Sequence, residues 1–108
     1  MRTEKTINVV APCVHPNGTS QASLVDDLEK AYCAVNAARE AMRESTPNGR
    51  DYYVGNVTYD QARQQHDRRY AMLVQISQEI EAQIGLIQDG EQTGTVLVLA
   101  IEELCPVG

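Results

Sequence analysis

The segment with the most groups able to recognise another molecule is 46–58, TPNGRDYYVGNVT. It contains an Asn-Gly turn that starts at Asn48, followed by Arg50 and the adjacent rings of Tyr52 and Tyr53. A guanidinium group can bind a phosphate or carboxylate through two hydrogen bonds, and tyrosine rings can stack on a purine base. Asn48 adds an amide that can meet a ribose or a base edge. This composition indicates a site for a small anionic ligand.

A purely structural role is open for the same loop. In that alternative, Tyr52 and Tyr53 close the end of a helix hairpin, and Asp51 forms an ion pair with Arg50. The residue types are compatible with both interpretations, so the two differ only in where the side chains point.

Three further candidates follow the loop, namely Arg63, His66 and Arg69. Unpaired N–H groups at the start of a helix attract anions, and the two arginines would add positive charge there. Arginines spaced among acidic residues also form solvated surface pairs, which is the alternative for Arg63 and Arg69. His66 falls on an apolar helix stripe, where a histidine is more often a packed, hydrogen-bonded side chain than a ligand.

The turn His15-Pro-Asn-Gly-Thr-Ser20 precedes the first helical pattern and is a second possible anion site. Asn17 and Thr19 are its candidate ligand-binding residues. Helix capping by Thr19 or Ser20 is the structural alternative. The Asn-Gly pair predicts a positive φ angle in this turn.

Catalytic and metal-binding motifs are missing from the sequence. It has no Walker loop, no GxGxxG, no HExxH and no GxSxG. Cys13, Cys33 and Cys105 have no zinc-site spacing, and His15 lies close to Cys13 in sequence without a visible orienting group. We therefore predict a protein that is not an enzyme and that has no metal and no cofactor.

Charge is distributed unevenly along a chain whose net charge is −6. Residues 39–70 hold six arginines and five carboxylates, whereas the rest holds three basic and ten acidic residues. The acidic balance argues against general nucleic-acid binding, which needs a basic surface. The arginine-rich part fits a small anion instead, and the acidic remainder leaves open a weaker idea, mimicry of DNA towards a basic host protein.

The hydrophobic pattern predicts an α+β fold in a single domain, 1–108. Two long helices would form an antiparallel hairpin, and terminal strands would form a small sheet. The predicted elements are strand 5–11, helix 20–45, loop 46–58, helix 59–89 and strand 95–102. Thr58 and Gln61 form a capping box at the start of the second helix, and Gly90 is placed to end it.

Oligomerisation is predicted from the same pattern. Residues 96–101 are apolar without interruption, which is typical of a strand buried on both faces, yet two strands per chain are too few for a stable sheet. We expect a homo-oligomer, a dimer or a multiple of dimers, that completes the sheet and pairs the long helices. No apolar segment has the length of a membrane span or a signal peptide, so we expect a cytoplasmic protein.

Two motifs carry a resemblance to a known family. The turn Val14-His-Pro-Asn-Gly-Thr19 and the loop Asn48-Gly-Arg-Asp-Tyr-Tyr53, at this separation, resemble small phage and prophage proteins. Within these, the chain resembles the anti-Thoeris sponge proteins over residues 7–90. That resemblance implies a small oligomer of two helices and a sheet that sequesters cyclic ADP-ribose signals, or cyclic oligonucleotides, without cleaving them.

The resemblance further implies pockets at subunit interfaces, with arginine on phosphates and aromatic or polar groups on adenine. The C-terminal strand has no basic residue, so the family's pocket residues are not carried over one by one. The expected function is a non-catalytic phage protein that binds a cyclic nucleotide in the host bacterial cytoplasm. The alternative is a phage accessory or structural oligomer whose loop 46–58 binds a protein partner.

Overall fold

The computed structural model describes residues 4–55 and 57–99 and has an α+β architecture. Two long helices form an antiparallel hairpin, and the two strands pair in one antiparallel sheet, as predicted. In chain order the elements are β1 (Glu4–Val10), α1 (Gln21–Glu44), a short 3-10 helix (Gly49–Asp51), α2 (Tyr59–Asp89) and β2 (Thr93–Leu99).

The helix boundaries follow from their capping residues. The Thr58 side chain accepts a hydrogen bond from the Gln61 backbone, and the Gln61 side chain accepts one from the Thr58 backbone, so the predicted capping box is confirmed. Gly90 ends α2 with a left-handed φ of 75°. At α1 the cap is Ser20, whose hydroxyl accepts from the Ser23 N–H at 3.2 Å. Helix α2 therefore has its predicted bounds, and the ends of the predicted helix 20–45 are capping residues.

The strand boundaries differ slightly from the predicted 5–11 and 95–102. β1 starts one residue earlier and ends at Val10, although the Ala11 N–H still bonds the Gln92 carbonyl at 2.8 Å. β2 starts at Thr93 because the chain reverses within residues 90–92, where Gly90 is left-handed and the Glu91 N–H bonds the Leu86 carbonyl at 2.9 Å. Residues 100–102 of the predicted strand lie outside the described part.

The core lies at the sheet end of the hairpin. Its buried members are Val9, Ala11, Leu86 and Ile87, so it is made where both strands meet the last turns of α2. Leu97 points away from this core and is 58% exposed. The expectation that β2 is buried on both faces is therefore not met within one chain, because nothing in the described part covers the outer face of the sheet at Leu97.

The expected positive φ at the Asn17-Gly18 turn is wrong. Within the described residues Gly90 is the one residue with φ in the left-handed region. The turn is closed by a hydrogen bond from the Gly18 N–H to the His15 carbonyl at 3.0 Å, which needs no left-handed residue. The imidazole ring of His15 lies over Gly18, so that a Cβ added there would be 2.8 Å from His15 Nε2 and this exposed ring would have to move.

Candidate functional site

The predicted binding loop is organised by the short 3-10 helix. Asn48 caps it, with its side-chain oxygen accepting from the Arg50 N–H at 3.1 Å. The ring of Tyr52 is half-buried, with its centroid 6.5 Å from that of Tyr59 at the start of α2, while Tyr53 is 79% exposed. The adjacent tyrosines thus separate, and only Tyr53 presents its ring to solvent.

Arg50 is exposed, and its side chain makes no hydrogen bond or ion pair with any described residue. In particular, it forms no ion pair with Asp51. The structural alternative for the loop therefore holds for Tyr52, which braces α2. Arg50 and Tyr53 are accessible to another molecule, and Asn48 is engaged by the loop's own backbone.

His66 is buried in the hairpin, with 8% exposure, and its Nε2 lies 3.3 Å from Thr46 Oγ1. The Thr46 hydroxyl donates its single hydrogen to the Arg43 carbonyl at 2.6 Å, so the His66 Nε2–H must be the donor in the longer contact. His66 therefore fastens the start of the loop to α2, as its place on the apolar stripe indicated. Because His66 is buried, it is not accessible to a ligand.

The remaining predicted residues do not converge in one chain. Arg63 and Arg69 are exposed on α2, and Arg69 donates to the Gln65 side chain at 3.5 Å. Asn17 and Thr19 are exposed at the opposite end of α1, about 36 Å away for a 24-residue helix. Ser20 and not Thr19 caps α1, and Thr19 lies far from the loop 46–58.

The structure assembles a different cluster across the hairpin, from Arg39 and Arg43 of α1 and Tyr70 of α2. The guanidinium carbons of the two arginines lie 5.7 and 5.8 Å from the centroid of the Tyr70 ring. Arg43 Nε donates to the Tyr70 hydroxyl at 3.1 Å. Both distances to the ring are within the range of cation–π attraction. We refer to these three residues as the Arg-Tyr-Arg cluster.

Little negative charge balances this cluster within the described residues. Arg39 bonds only neutral groups, the Asn36 side chain at 3.1 Å and the Ser77 hydroxyl at 3.4 Å, and its buried Nε has no hydrogen-bond partner. Arg43 has one carboxylate near it, Glu40 at 3.7 Å, in a solvent-exposed pair that contributes little. The cluster therefore has charge and donors left for an external anion.

Electrostatics within the cluster point the same way. The neighbouring guanidinium groups of Arg39 and then Arg43 hold the pKa of the Tyr70 hydroxyl below its ordinary value. The same contact with Tyr70, with a smaller effect of Glu40, raises the pKa of Arg43. The Tyr70 oxygen thus accepts a hydrogen bond from Arg43, which has only one paired carboxylate among the described residues.

Sequence reasoning counted Arg39 and Arg43 in the basic part of the chain but did not select them or Tyr70. Two signals were available. The arginines are four residues apart, which puts them on one helix face, and Tyr70 lies four residues after His66, on the same apolar stripe of the second helix. What the sequence did not supply was the alignment of the two helices, which sets Arg43 opposite Tyr70.

A groove of about 330 Å³ lies between the helices, away from the arginine-rich loop. It is lined by Glu29, Tyr32, Cys33, Glu81 and Ile84. The Tyr32 hydroxyl donates to the Glu81 carboxylate at 3.0 Å. Because its polar groups are mainly carboxylates, this groove does not suit an anion.

In the described ranges no three metal-binding side chains form a group, and none of the helices is long and apolar enough to cross a membrane. Comparison of the chain with protein-family models, curated proteins and solved structures gives no match.

Proposed function

We propose that this protein is a non-catalytic phage anti-defence protein that binds and sequesters a cyclic nucleotide immune signal, a cyclic ADP-ribose isomer or a cyclic oligonucleotide. It acts in the host bacterial cytoplasm as a homo-oligomer and uses no cofactor. The observation that carries the anion-binding part is the Arg-Tyr-Arg cluster, in which two guanidinium groups share one phenol and, among the described residues, pair with a single carboxylate, that of Glu40. The nucleotide class comes from the resemblance to the sponge proteins.

The cluster offers the chemistry that a phosphate requires. Each arginine has donors in a planar fork that matches phosphate oxygens. Arg39 and Tyr70 are half-buried between the two helices, which reduces competition from water there, whereas Arg43 is exposed. Arg50 and Tyr53 lie on the loop at the same end of the hairpin and are exposed, so they can add a second charge contact and a stacking surface. No pair of groups poised for acid–base work is needed, since sequestration breaks no bond.

Calorimetry and thermal-shift measurements with cyclic ADP-ribose isomers and cyclic dinucleotides test the proposal. We expect saturable heat and a raised melting temperature with at least one of them. Intact ligand should be recovered after the complex is denatured, which distinguishes binding from hydrolysis. Absence of both signals with every nucleotide would end the proposal.

Matched variants locate the site. Arg39→Gln and Arg43→Gln should each weaken nucleotide binding at least tenfold, the effect of losing one charged hydrogen bond of about 1.5 kcal/mol or more. Arg68→Gln is the control, because Arg68 is exposed and makes no side-chain hydrogen bond or ion pair in the described structure. Equal weakening by all three variants would mean that binding follows net charge and not this cluster.

A second candidate, protein binding by the loop, is favoured by the exposure of its apolar residues. Tyr53, Val54 and Val57 are 79%, 76% and 53% exposed, an unusual concentration for one short loop. In this case the protein is a phage accessory or structural oligomer. Arg50→Ala and Tyr53→Ala would then abolish capture of a partner from host or virion extract while nucleotide titrations stay flat for the wild type.

A further inference from the structure

The helix hairpin is only one layer thick. The chain measures 62 × 26 × 15 Å along its principal axes, and a single helix with its side chains is about 10–12 Å across. Helices in stable domains bury an apolar face against a second layer. Helix α1 has no buried residue over its 24 residues, so most of the hairpin has no such layer within the chain.

Two large apolar side chains mark the uncovered face of α2. Met72 and Ile76 are 40% and 44% exposed and lie one turn apart, so they share a face. The last turns of α2 are covered instead by the sheet, where Leu86 and Ile87 are buried. Met72 and Ile76 stand two residues either side of Val74, the middle residue of α2 (Tyr59–Asp89).

The distribution of charge along α2 favours one relative orientation of two hairpins from different chains. On α2, the half next to the loop has a net charge of +1, from Arg63, Arg68 and Arg69 against Asp60 and Asp67, whereas the other half has a net charge of −3, from Glu79, Glu81 and Asp89. Antiparallel pairing puts each basic half beside an acidic half, whereas parallel pairing puts like charges together. Arg69 and Glu79 are both five residues from Val74, so an antiparallel pair would set them opposite each other.

We infer that a second copy of this chain docks on the face of α2 that contains Met72 and Ile76, antiparallel and about a two-fold axis near Val74. Met72 of each copy then packs against Ile76 of the other, and the missing layer is supplied by an identical hairpin. This names the contact surface of the homo-oligomer in the proposed function. It does not depend on nucleotide binding.

The oligomeric state of the full chain tests the surface. Light scattering after size exclusion should give twice 11.9 kDa, or a multiple of that, for the wild type. Met72→Lys and Ile76→Lys should each lower the mass by at least half. Val54→Lys is the control, because Val54 is 76% exposed but lies in the loop. A monomeric wild type, or an oligomer that survives both lysines, overturns the inference.

Disulfide trapping tests the register even if the lysine variants unfold. Cys13, Cys33 and Cys105 are first replaced by serine, and Met72→Cys and Ile76→Cys chains with different tags are co-expressed and oxidised. Random pairing makes the mixed 72–76 disulfide equal to the two same-site disulfides added together, and antiparallel docking about Val74 predicts that it exceeds that sum. Predominance of the same-site products, or no cross-link, contradicts it. Nucleotide calorimetry on the same samples reports separately on the proposed function.

Discussion

Arg43 and Tyr70 face each other across the hairpin, and the arginine Nε donates a 3.1 Å hydrogen bond to the phenol oxygen. Arg39 lies against the same ring, with its guanidinium carbon 5.7 Å from the centroid. The hydroxyl accepts from a permanently charged donor, so its deprotonated form is favoured. The state of this one phenol therefore reports on both arginines.

The first prediction concerns the alkaline titration of Tyr70, whose pKa lies below the ordinary value of tyrosine. Between that lowered pKa and the unfolded value of about 10, the folded chain has released a proton that the unfolded chain keeps. The free energy of unfolding should therefore rise with pH across this window, relative to Tyr70→Phe. Ultraviolet absorbance of phenolate during titration, with denaturant unfolding at several pH values, measures both effects.

A matched control is Tyr53→Phe, which removes an exposed phenol and should leave the early titration phase in place. A nucleotide that binds the two arginines should move the Tyr70 phase back towards higher pH, because the guanidinium groups then face phosphate. An early phase that persists in Tyr70→Phe would assign it to another tyrosine and remove this support for the cluster.

The second prediction concerns the contact that fastens the loop to α2. Thr46→Val removes both the acceptor for His66 Nε2 and the donor to the Arg43 carbonyl, and should lower the free energy of unfolding by about 1–3 kcal/mol, the usual net contribution of two hydrogen bonds. Thr46→Ser keeps the hydroxyl and should retain most of the stability. Urea unfolding curves give the comparison.

Thr19→Val is the matched control for Thr46→Val. Thr19 is exposed, and its hydroxyl makes no hydrogen bond to a described residue, so the same chemical change should alter stability by a few tenths of a kcal/mol at most. Equal effects at the two threonines would show that neither hydrogen bond of the Thr46 hydroxyl, to the Arg43 carbonyl or to His66, stabilises the fold.

The fold was predictable to the extent that local chemistry determines it. The Thr58–Gln61 capping box and Gly90 fix both ends of α2 without help from distant residues, and alternation of side chains places Ile7 and Val9 on one face of a strand. The exposure of Leu97 was not predicted, because six consecutive apolar residues indicated a strand buried on both faces. Whether a strand's second face is covered depends on another layer, and the sequence of one strand does not contain that information.

The site was predicted less well, for a physical reason. Loop composition indicated Tyr52 and Tyr53 as a pair. Their different surroundings arise because the Tyr52 ring packs near Tyr59, whereas the Tyr53 ring is exposed. The Arg-Tyr-Arg cluster depends on the axial alignment of two helices, which follows from the contacts of α1 with α2 along the hairpin. Such alignment comes from the whole hairpin and not from residues near the cluster.

The third prediction concerns the packing of β2 against α2 at Gly94 and Leu86. A Cβ added at Gly94 would lie 2.9 Å from Leu86 Cδ2, within the buried core. Gly94→Ala should therefore lower the free energy of unfolding by about 1–3 kcal/mol through overpacking. Leu86→Val shortens the opposing side chain, so the double variant should lose less than the two single losses added together. Additive losses would show that the two residues do not meet.

The fourth prediction contrasts two glycines of α2 with the same alanine substitution. Gly90 has φ of 75°, a conformation that costs an alanine about 1–2 kcal/mol, so Gly90→Ala should destabilise the chain. Gly85 lies inside the helix with nothing within 4 Å of an added Cβ, so Gly85→Ala should raise the free energy of unfolding by about 0.5–1 kcal/mol. Denaturant unfolding of both variants gives the signs. Loss of stability at Gly85, accompanied by a fall in oligomer mass, would instead mean that the backbone of a second chain approaches α2 at that glycine.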